Sequence, residues 1–463
     1  MGNILSFVSN QVTVFFDLLA FAKNPRQGLL TCRAKYGDVF LIDCALVGTK
    51  IAGLCGPEAL EQFEAKVLDG SLVKKDAFPA SVATVLGPIL SVLDGEVHDD
   101  RKRRLMEAFT ATQLELYKPV IRRIVQTEHL RWVKSSSSSF SLVASTKTLL
   151  FKVMLAVLYG INDDAMDAYL DFVVVIDDYV ASIQRSAKQV DPRGIETRAK
   201  FIDELIGPAI DAAKVRVATH ETKPSLLDFL VQAGKFTDDE LRQEGFHMMF
   251  ASFGGLSTLA ANMITALTVY PDVRKKAATA RTTLVAQFPT EDSRWAHVTA
   301  LGYLNQFVLE VKRFYIAGPT QVFTRATRDV DINTVHGSIK IPKGALVLAG
   351  LEATSKHPGV WADADTFNPD RFEDFELDQN LYKFCPHSMG PTQHRRCAGG
   401  ELSTVILNSV LLSYLDFTWE MVPDQDFTLQ LNSVVAVPVG QLMVSAFEKV
   451  PVEQANWPFK REM

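Results

Sequence analysis

The sequence predicts a mainly α-helical domain with a smaller β portion, and three observations support this. From Glu96 to Tyr303 the pattern of apolar residues is almost entirely helical. A β-rich stretch precedes this region, and a strand- and turn-rich stretch follows Arg313. No linker of Pro, Gly and Ser divides the regions. We therefore expect an N-terminal apolar segment over residues 1–25 and one catalytic domain over residues 26–463.

Composition narrows the class of protein. The 463 residues are 47% hydrophobic and 22% charged, which is typical of a globular protein. The net charge of -6 gives no reason to expect nucleic acid as a partner. The five cysteines form no CxxC pair and no zinc-ligand spacing. An odd number of cysteines favours a reducing compartment.

The N-terminal segment is apolar but interrupted by polar residues. These residues are Ser9, Asn10, Gln11, Thr13 and Asp17. A membrane-spanning helix needs about 20 predominantly apolar residues. No basic region precedes the apolar run, as a signal peptide would require. We expect an interfacial helix, and a cytoplasmic protein that contacts a membrane only peripherally.

Two elements can be placed along the chain from local signals. Residues Tyr36–Cys55 read as a hairpin, because two β-rich runs flank a glycine-containing turn. Thr237 and Glu240 form a capping box, from which a helix can run without proline as far as Pro271. A helix of about 30 residues is about 45–50 Å long, enough to cross the whole molecule.

Cys397 differs from the other cysteines in its surroundings. It lies in a Gly/Pro-rich loop that leads into a long apolar helix. Arg395 and Arg396 supply cations that stabilise a thiolate, and Gly399-Gly400 allow close backbone approach. This loop alone also fits a buried structural cysteine before a helix.

Two further motifs combine with the cysteine loop. Glu310 and Arg313 share one helical face at a spacing of three residues. Arg371, in the downstream stretch "FNPDRF", has a planar guanidinium that can complete a Glu–Arg–Arg cluster with them. Glu-x-x-Arg, Pro-Asp-Arg-Phe and then Arg-x-Cys-x-Gly, in this order, resemble the cytochrome P-450 superfamily from Tyr36 to the end of the chain.

The resemblance implies the P-450 fold, with haem b between the long central helix and the cysteine loop. Cys397 would then be the axial ligand of the iron, and residues 26–463 a haem-thiolate domain. His387 and His394 do not occupy the family's ligand position. The other residues expected to bind the cofactor are the loop glycine and three cations for the haem propionates: Gly399, His98, Lys102 and Arg395.

The long helix departs from the pattern of P-450 monooxygenases. Those enzymes usually carry an acid–alcohol pair that delivers protons to iron-bound dioxygen. Here Thr258 supplies the alcohol, but Ser257 replaces the acid and is too weak a proton donor. The stretches "FASFGG" and "PTQHRRCAGGE" look like the allene oxide synthase and hydroperoxide lyase clan. Gly254 and Gly255 would then thin the helix wall above the iron for a fatty-acid hydroperoxide.

Two positions bear on the product under this resemblance. Phe78 aligns with an aromatic residue of the clan that lies near the carbon radical, and its retention argues against chain cleavage. Ala251 replaces an asparagine that hydrogen-bonds the peroxide oxygens in the clan, which argues against efficient allene oxide formation. An ordinary core role fits Phe78 equally well.

Three hypotheses of function follow. The first is a haem-thiolate enzyme, of the epoxyalcohol synthase or allene oxide synthase type, that rearranges polyunsaturated fatty-acid hydroperoxides without dioxygen or a reductase. The second is an NADPH-reductase-dependent lipid monooxygenase, which the retained Thr258 and the missing asparagine favour. The third is a haem or lipid carrier without turnover, which would have no use for a thiolate ligand.

Overall fold

The computed structural model describes residues 2–135, 139–161, 163–316, 321–430 and 437–450. The helices are α1 (Gly2–Lys23), α2 (Pro25–Tyr36), α3 (Pro57–Leu68), α4 (Ala80–Leu86), α5 (Gly95–Met106), α6 (Ala111–Ser135), α7 (Leu142–Tyr159), α8 (Asp163–Met166), α9 (Phe172–Arg185), α10 (Pro192–Phe201), α11 (Gly207–Ala218), α12 (Leu226–Ala233), α13 (Asp238–Val269), α14 (Pro271–Gln287), α15 (Glu291–Ala296), α16 (Tyr303–Phe314), α17 (Leu351–Ser355) and α18 (Gly400–Tyr414). The strands are β1 (Val39–Cys44), β2 (Thr49–Leu54), β3 (Leu72–Val73), β4 (Phe140–Ser141), β5 (Gln321–Ala326), β6 (Val330–Thr334), β7 (Gly337–Ile341), β8 (Leu346–Gly350), β9 (Phe417–Met421), β10 (Leu429–Gln430), β11 (Val437–Pro438) and β12 (Met443–Lys449). The predicted mainly α fold with a smaller β portion is confirmed.

The β portion is built around the predicted hairpin. Strands β1 and β2 pair antiparallel, with Val39 opposite Leu54 and Cys44 opposite Thr49. The hairpin forms one side of a five-stranded sheet in the order β1-β2-β8-β5-β3, in which only the β2–β8 pairing is parallel. Strands from residues 39–73 and 321–350 therefore form one sheet.

The long helix α13 forms the centre of the helical portion. Thr237 accepts a hydrogen bond from the backbone of Glu240, whose side chain accepts one in return, so the predicted capping box is present. The helix then continues over 32 residues to Val269, just before Pro271. Its second half is buried against α7, α14, α16 and α18.

Helix α1 packs on the rest of the domain. The helix breaks at Asn24, whose side chain caps α2 by accepting a hydrogen bond from the Gln27 backbone. Phe21 of α1 is buried beside Leu29 and Cys32 of α2 and beside the hairpin. A Cβ at Gly28 would lie 2.6 Å from the Phe21 Cα atom, so glycine permits this close crossing.

Two helices among the described residues are long and apolar enough to cross a membrane, α7 and α13. In each, 72% of the apolar window is buried inside the domain. Their apolar character is therefore accounted for by packing in the core.

Candidate active site

The cysteine loop presents a single accessible thiol. Cys397 is exposed, whereas the other four cysteines of the chain are buried. Its backbone N–H donates to the carbonyl oxygen of His387 at 2.9 Å, which fixes the loop just before α18 begins at Gly400. Burial raises the pKa of the Cys55 and Cys385 thiols to about 12. Without a bound cation, those two thiols therefore stay protonated at neutral pH.

The predicted propionate-binding cations lie together beside this loop. His98 and Lys102 are buried on one face of α5, and the Lys102 ammonium donates to the carbonyl oxygen of Arg396. The Arg395 guanidinium donates to the Leu93 carbonyl at 2.7 Å and to an Asp94 carboxylate oxygen at 2.9 Å. The structure therefore brings residues 98–102 of α5 next to residues 395–397 of the cysteine loop.

The cluster contains a further cation that the sequence argument did not find. Burial and the charge of Arg395 lower the pKa of Lys74 to about 8, and burial is also the main reason that the pKa of Lys102 falls to about 8. The pKa of His98 falls to about 4, because of burial and then of Arg395 and Lys74. Lys74 follows the short strand β3, where only an ordinary Lys-Lys pair marks it in the sequence.

This donor set fits a dianionic cofactor. The basic groups depress each other's pKa values, and two carboxylates bond directly to the cluster, Asp94 through Arg395 and Asp99 through His98. An anion bound among them would relieve this repulsion and accept charge-assisted hydrogen bonds. The two propionates of a haem supply that charge, next to the exposed Cys397 thiol.

Residues 251–258 of helix α13 form a surface, called the wall below, that is open at its start. Ala251 is exposed and Gly254 is partly exposed, and a Cβ at Gly254 would meet no atom within 4 Å. Ser257 is buried, and its hydroxyl donates to the Gly254 carbonyl at 3.1 Å. Gly255 and Thr258 lie on the same side of the helix, four and seven residues beyond Ala251. The described side chains of this wall therefore include no carboxylate from Ala251 to Thr258.

Phe78 is brought to the same helix by apolar packing. It lies 5.9 Å, centroid to centroid, from the Phe323 ring, and it packs in a small cluster that includes Phe250 of α13. The other members of this cluster are Val82, Leu86, Ile89, Val92 and Ile183. The predicted aromatic residue is thus one element of an apolar surface adjoining Ala251.

A Glu–His pair lies one turn before Ala251. Glu244 is completely buried, and its carboxylate accepts from the Leu90 backbone at 2.9 Å and from Arg101 at 3.2 Å. Its other oxygen lies 2.9 Å from Nδ1 of His247. The spacing of three residues between Glu244 and His247 was visible in the sequence, but nothing there marked the pair as buried.

The Glu–Arg–Arg cluster forms beneath the cysteine loop, as the sequence predicted. Arg313 donates to both oxygens of Glu310, at 2.6 and 2.7 Å, and both side chains are fully buried. Arg371 donates to Glu310 at 3.3 Å from the turn that follows Asn368. The rival ligands have other partners, since His387 lies 3.0 Å from the Ser403 hydroxyl and His394 lies 3.4 Å from Glu64.

The structure gives no specific support for the predicted cofactor contact of Gly399. A Cβ at this position would lie 3.9 Å from the Cys397 sulfur and 3.7 Å from Phe109, which are ordinary contacts. The protein atoms alone therefore do not require glycine here, and its predicted role as a cofactor contact stays a prediction.

Comparison with known proteins decides the family. A family model described as Cytochrome P450 matches residues 8–445. This chain belongs to the cytochrome P450 family. Its cofactor is accordingly haem b, held through a cysteine thiolate.

Relatives of this P450 are distant but span most of the chain. Cytochrome P450 26B1 of Danio rerio is 25% identical over 440 residues, which cover 90% of this chain and 81% of that protein. Ferruginol synthase of Salvia miltiorrhiza is 22% identical over 438 residues, covering 88% and 86%. The similarity thus includes both the helical portion and the cysteine loop.

Solved P450 structures share the fold. Ligand-free cytochrome P450 OleT has a TM-score of 0.72 at 16% identity, and the match covers 95% of this chain and 98% of OleT. The retinoic acid-bound cyanobacterial CYP120A1 has a TM-score of 0.72 at 20% identity, covering 91% and 93%. At these identities the likeness establishes the fold of this P450.

Proposed function

We propose that this P450 rearranges polyunsaturated fatty-acid hydroperoxides to an epoxyalcohol or an allene oxide, without dioxygen or a reductase. The proposal rests on one observation, the burial and hydrogen bonding of the Ser257 side chain on α13. Its hydroxyl is buried and donates to the Gly254 carbonyl, at the position where a monooxygenase of this superfamily usually has an acid. A hydroperoxide brings its oxygen already reduced, so it needs no such proton donor.

The cofactor would be held by Cys397 at the iron and by His98, Lys102, Arg395 and Lys74 at the propionates. When bound, haem supplies the one-electron chemistry that opens an O–O bond. The cations would form ion pairs with the propionates. The hydrogen bond from the Cys397 backbone N–H to the His387 carbonyl oxygen holds the loop that carries the sulfur.

The apolar surface beside α13 suits the pentadiene part of the substrate. Homolysis of the O–O bond leaves an alkoxyl radical on the lipid, which closes onto the adjacent double bond and gives an epoxyallylic radical. Return of the hydroxyl group gives an epoxyalcohol, an isomer of the substrate. Transfer of one electron and one proton from this radical to the hydroxyl group split off in the homolysis would give an allene oxide and water. The ring of Phe78 would lie against this radical and disfavour chain cleavage.

Ala251 would set the balance between the two products. The exposed alanine places no hydrogen-bond donor on the wall at the position where the clan has asparagine. Without that donor the peroxide would be held mainly by apolar contacts with its chain. We expect the epoxyalcohol to be favoured, because the hydroxyl group then returns before the proton is lost.

A lipid monooxygenase is the second candidate. Thr258 is retained on α13, and the relatives at 22–25% identity include the P450 26B1 proteins and ferruginol synthase. Structures of this fold are described with arachidonic acid and with retinoic acid bound, which fits a lipid carboxylate under either candidate. The two candidates differ in where the product oxygen comes from.

The decisive experiment uses purified ferric protein under anaerobic conditions. Mixed with a linoleate hydroperoxide, it should bleach the conjugated-diene absorbance over many turnovers per haem and give one main stereoisomer. Free haemin is the control, since it should give a mixture of stereoisomers. If the diene is untouched, and a lipid is hydroxylated only after NADPH, reductase and dioxygen are added, the monooxygenase replaces our proposal.

We also propose a cytoplasmic protein that lies against a membrane through α1. The exposed fractions of Val12, Phe16 and Leu19 are 43%, 63% and 47%, and their spacing places them on one face of the helix. The opposite face packs on the domain. An apolar stripe of this kind suits an interfacial helix that does not span the bilayer.

A further inference from the structure

A buried lysine lies beneath the cysteine loop. Lys312, between Glu310 and Arg313 on α16, has an exposed fraction of 1%. Its ammonium donates to the hydroxyls of Ser403 at 3.0 Å and Thr404 at 2.7 Å, both in the first turns of α18. Among the residues that the structure describes, no carboxylate lies within ion-pair distance of this ammonium. Neutral oxygens alone do not compensate a charge that has been removed from water.

The hydroxyl of Ser403 connects this lysine to the ligand loop. It donates its hydrogen to the Gly400 carbonyl at 2.6 Å, so it must accept from both Lys312 and His387. Nε2 of His387 is 3.0 Å away and therefore carries the imidazole hydrogen. Burial holds the pKa of His387 well below its usual value, so the ring is neutral. The carbonyl of this same histidine accepts the Cys397 backbone hydrogen bond.

Two anionic groups near Lys312 favour its charged form, Glu401 and Cys397. The pKa of Lys312 falls to about 7, mainly because of burial; Glu401 and Cys397 raise this pKa, and Arg396 lowers it. Glu401 is exposed, and its charge is screened by water. Glu310 is already bonded to Arg313 and Arg371. A Cys397 thiolate is thus, together with Glu401, an anion that would offset a buried Lys312 ammonium.

We propose that Lys312 is a positioning residue that holds the cysteine loop through Ser403 and His387 and withdraws charge from the Cys397 thiolate. Hydrogen bonds and charges around a ligating sulfur tune the reduction potential of the metal. A cation on this side lowers the electron density that the thiolate donates and so raises the potential of the iron. The inference rests on Cys397 as the haem ligand. It deepens the proposed function, because weaker donation favours one-electron opening of a peroxide over two-electron opening.

The test is the ferric/ferrous midpoint potential of three variants, each checked for the carbon monoxide spectrum of thiolate ligation. Lys312→Met removes the charge and keeps the length of the side chain, and Lys312→Gln removes the charge but keeps a donor. Both should lower the equilibrium constant for reduction at least tenfold, which is about 59 mV for one electron. Lys188→Met, which removes an exposed lysine, should leave the potential unchanged.

These variants distinguish a failure to fold from a failure of the inference. Lys312→Met keeps the apolar stem of the side chain and should fold, and Lys312→Gln provides a second measurement if it does not. A wild-type potential in a correctly ligated Lys312 variant would overturn the inference. That result would leave hydroperoxide turnover by the wild-type enzyme, which tests the proposed function, unaffected.

Discussion

Glu310 accepts two hydrogen bonds from Arg313, at 2.6 and 2.7 Å, with both side chains fully buried between α16 and the turn that carries Arg371. Arg313 also donates to the carbonyl oxygens of Ser355 and Ala364. One guanidinium thus joins three separate stretches of chain beneath the cysteine loop. Its hydrogen bonds depend on the carboxylate staying ionised.

We predict that Glu310→Gln strongly destabilises the protein, because it leaves the buried Arg313 charge without its counterion. Breaking a buried pair in this way costs about 3–5 kcal/mol. Urea unfolding and haem content measure the effect, and Asp370→Asn, in an exposed pair with Lys276, is the matched control expected to cost less than about 1 kcal/mol. Equal stability of the two variants would contradict a structural role for the cluster.

Cys397→Ser should abolish the red-shifted Soret band of the reduced protein with carbon monoxide. The reason is that Cys397 is the exposed cysteine, whereas burial raises the pKa of Cys385 to about 12. Cys385→Ser is the control and should keep the band. Retention of the band in Cys397→Ser would show that the ligand has been assigned wrongly.

Ala251→Asn should speed hydroperoxide consumption and raise the share of allene oxide among the products. Ala251 is exposed on α13, so an asparagine there can present a donor to the peroxide oxygens. Chromatography of the products measures the shift. The control is Ala251→Leu, which adds bulk but no hydrogen-bond donor. A similar product shift in both variants would exclude hydrogen bonding as the cause.

Replacing Phe16 and Leu19 together by serine should weaken binding to neutral phosphatidylcholine vesicles at least tenfold. Burying one such side chain contributes about 1.5–3 kcal/mol, and these two are exposed on α1. Vesicle sedimentation measures the binding, with Val335→Ser as the control because Val335 is 86% exposed on a different part of the domain. Carbonate-resistant insertion of the full chain would contradict interfacial binding.

Local signals predicted the elements that local interactions determine. The capping box at Thr237, the proline at 271 and the glycine-containing turn of the hairpin act within a few residues, and the structure has these elements where the sequence placed them. The Glu–Arg–Arg cluster was predictable for another reason. Its three residues occur in a motif whose order is specific, although Arg371 is far from Glu310 in sequence.

Other features of the site depend on tertiary packing and could not be read from the sequence. Lys74 joins the cations of α5 and the cysteine loop only because β3 pairs with β5 at the edge of the large sheet. Lys312 follows Glu310 as an ordinary charged helical residue, and its burial arises from the crossing of α16 and α18. Glu244 similarly looks like a surface residue until Leu90 and Arg101 enclose it.

The source of the product oxygen tests the central claim most directly. Purified protein is supplied with unlabelled linoleate hydroperoxide, NADPH and a P450 reductase under an atmosphere of ¹⁸O₂, and the products are analysed by mass spectrometry. Because Ser257 gives α13 no acid for dioxygen activation, we predict an epoxyalcohol or allene oxide product without ¹⁸O, formed equally well when NADPH is omitted. A hydroxylated lipid that carries ¹⁸O and requires NADPH, with the hydroperoxide unchanged, would contradict the account.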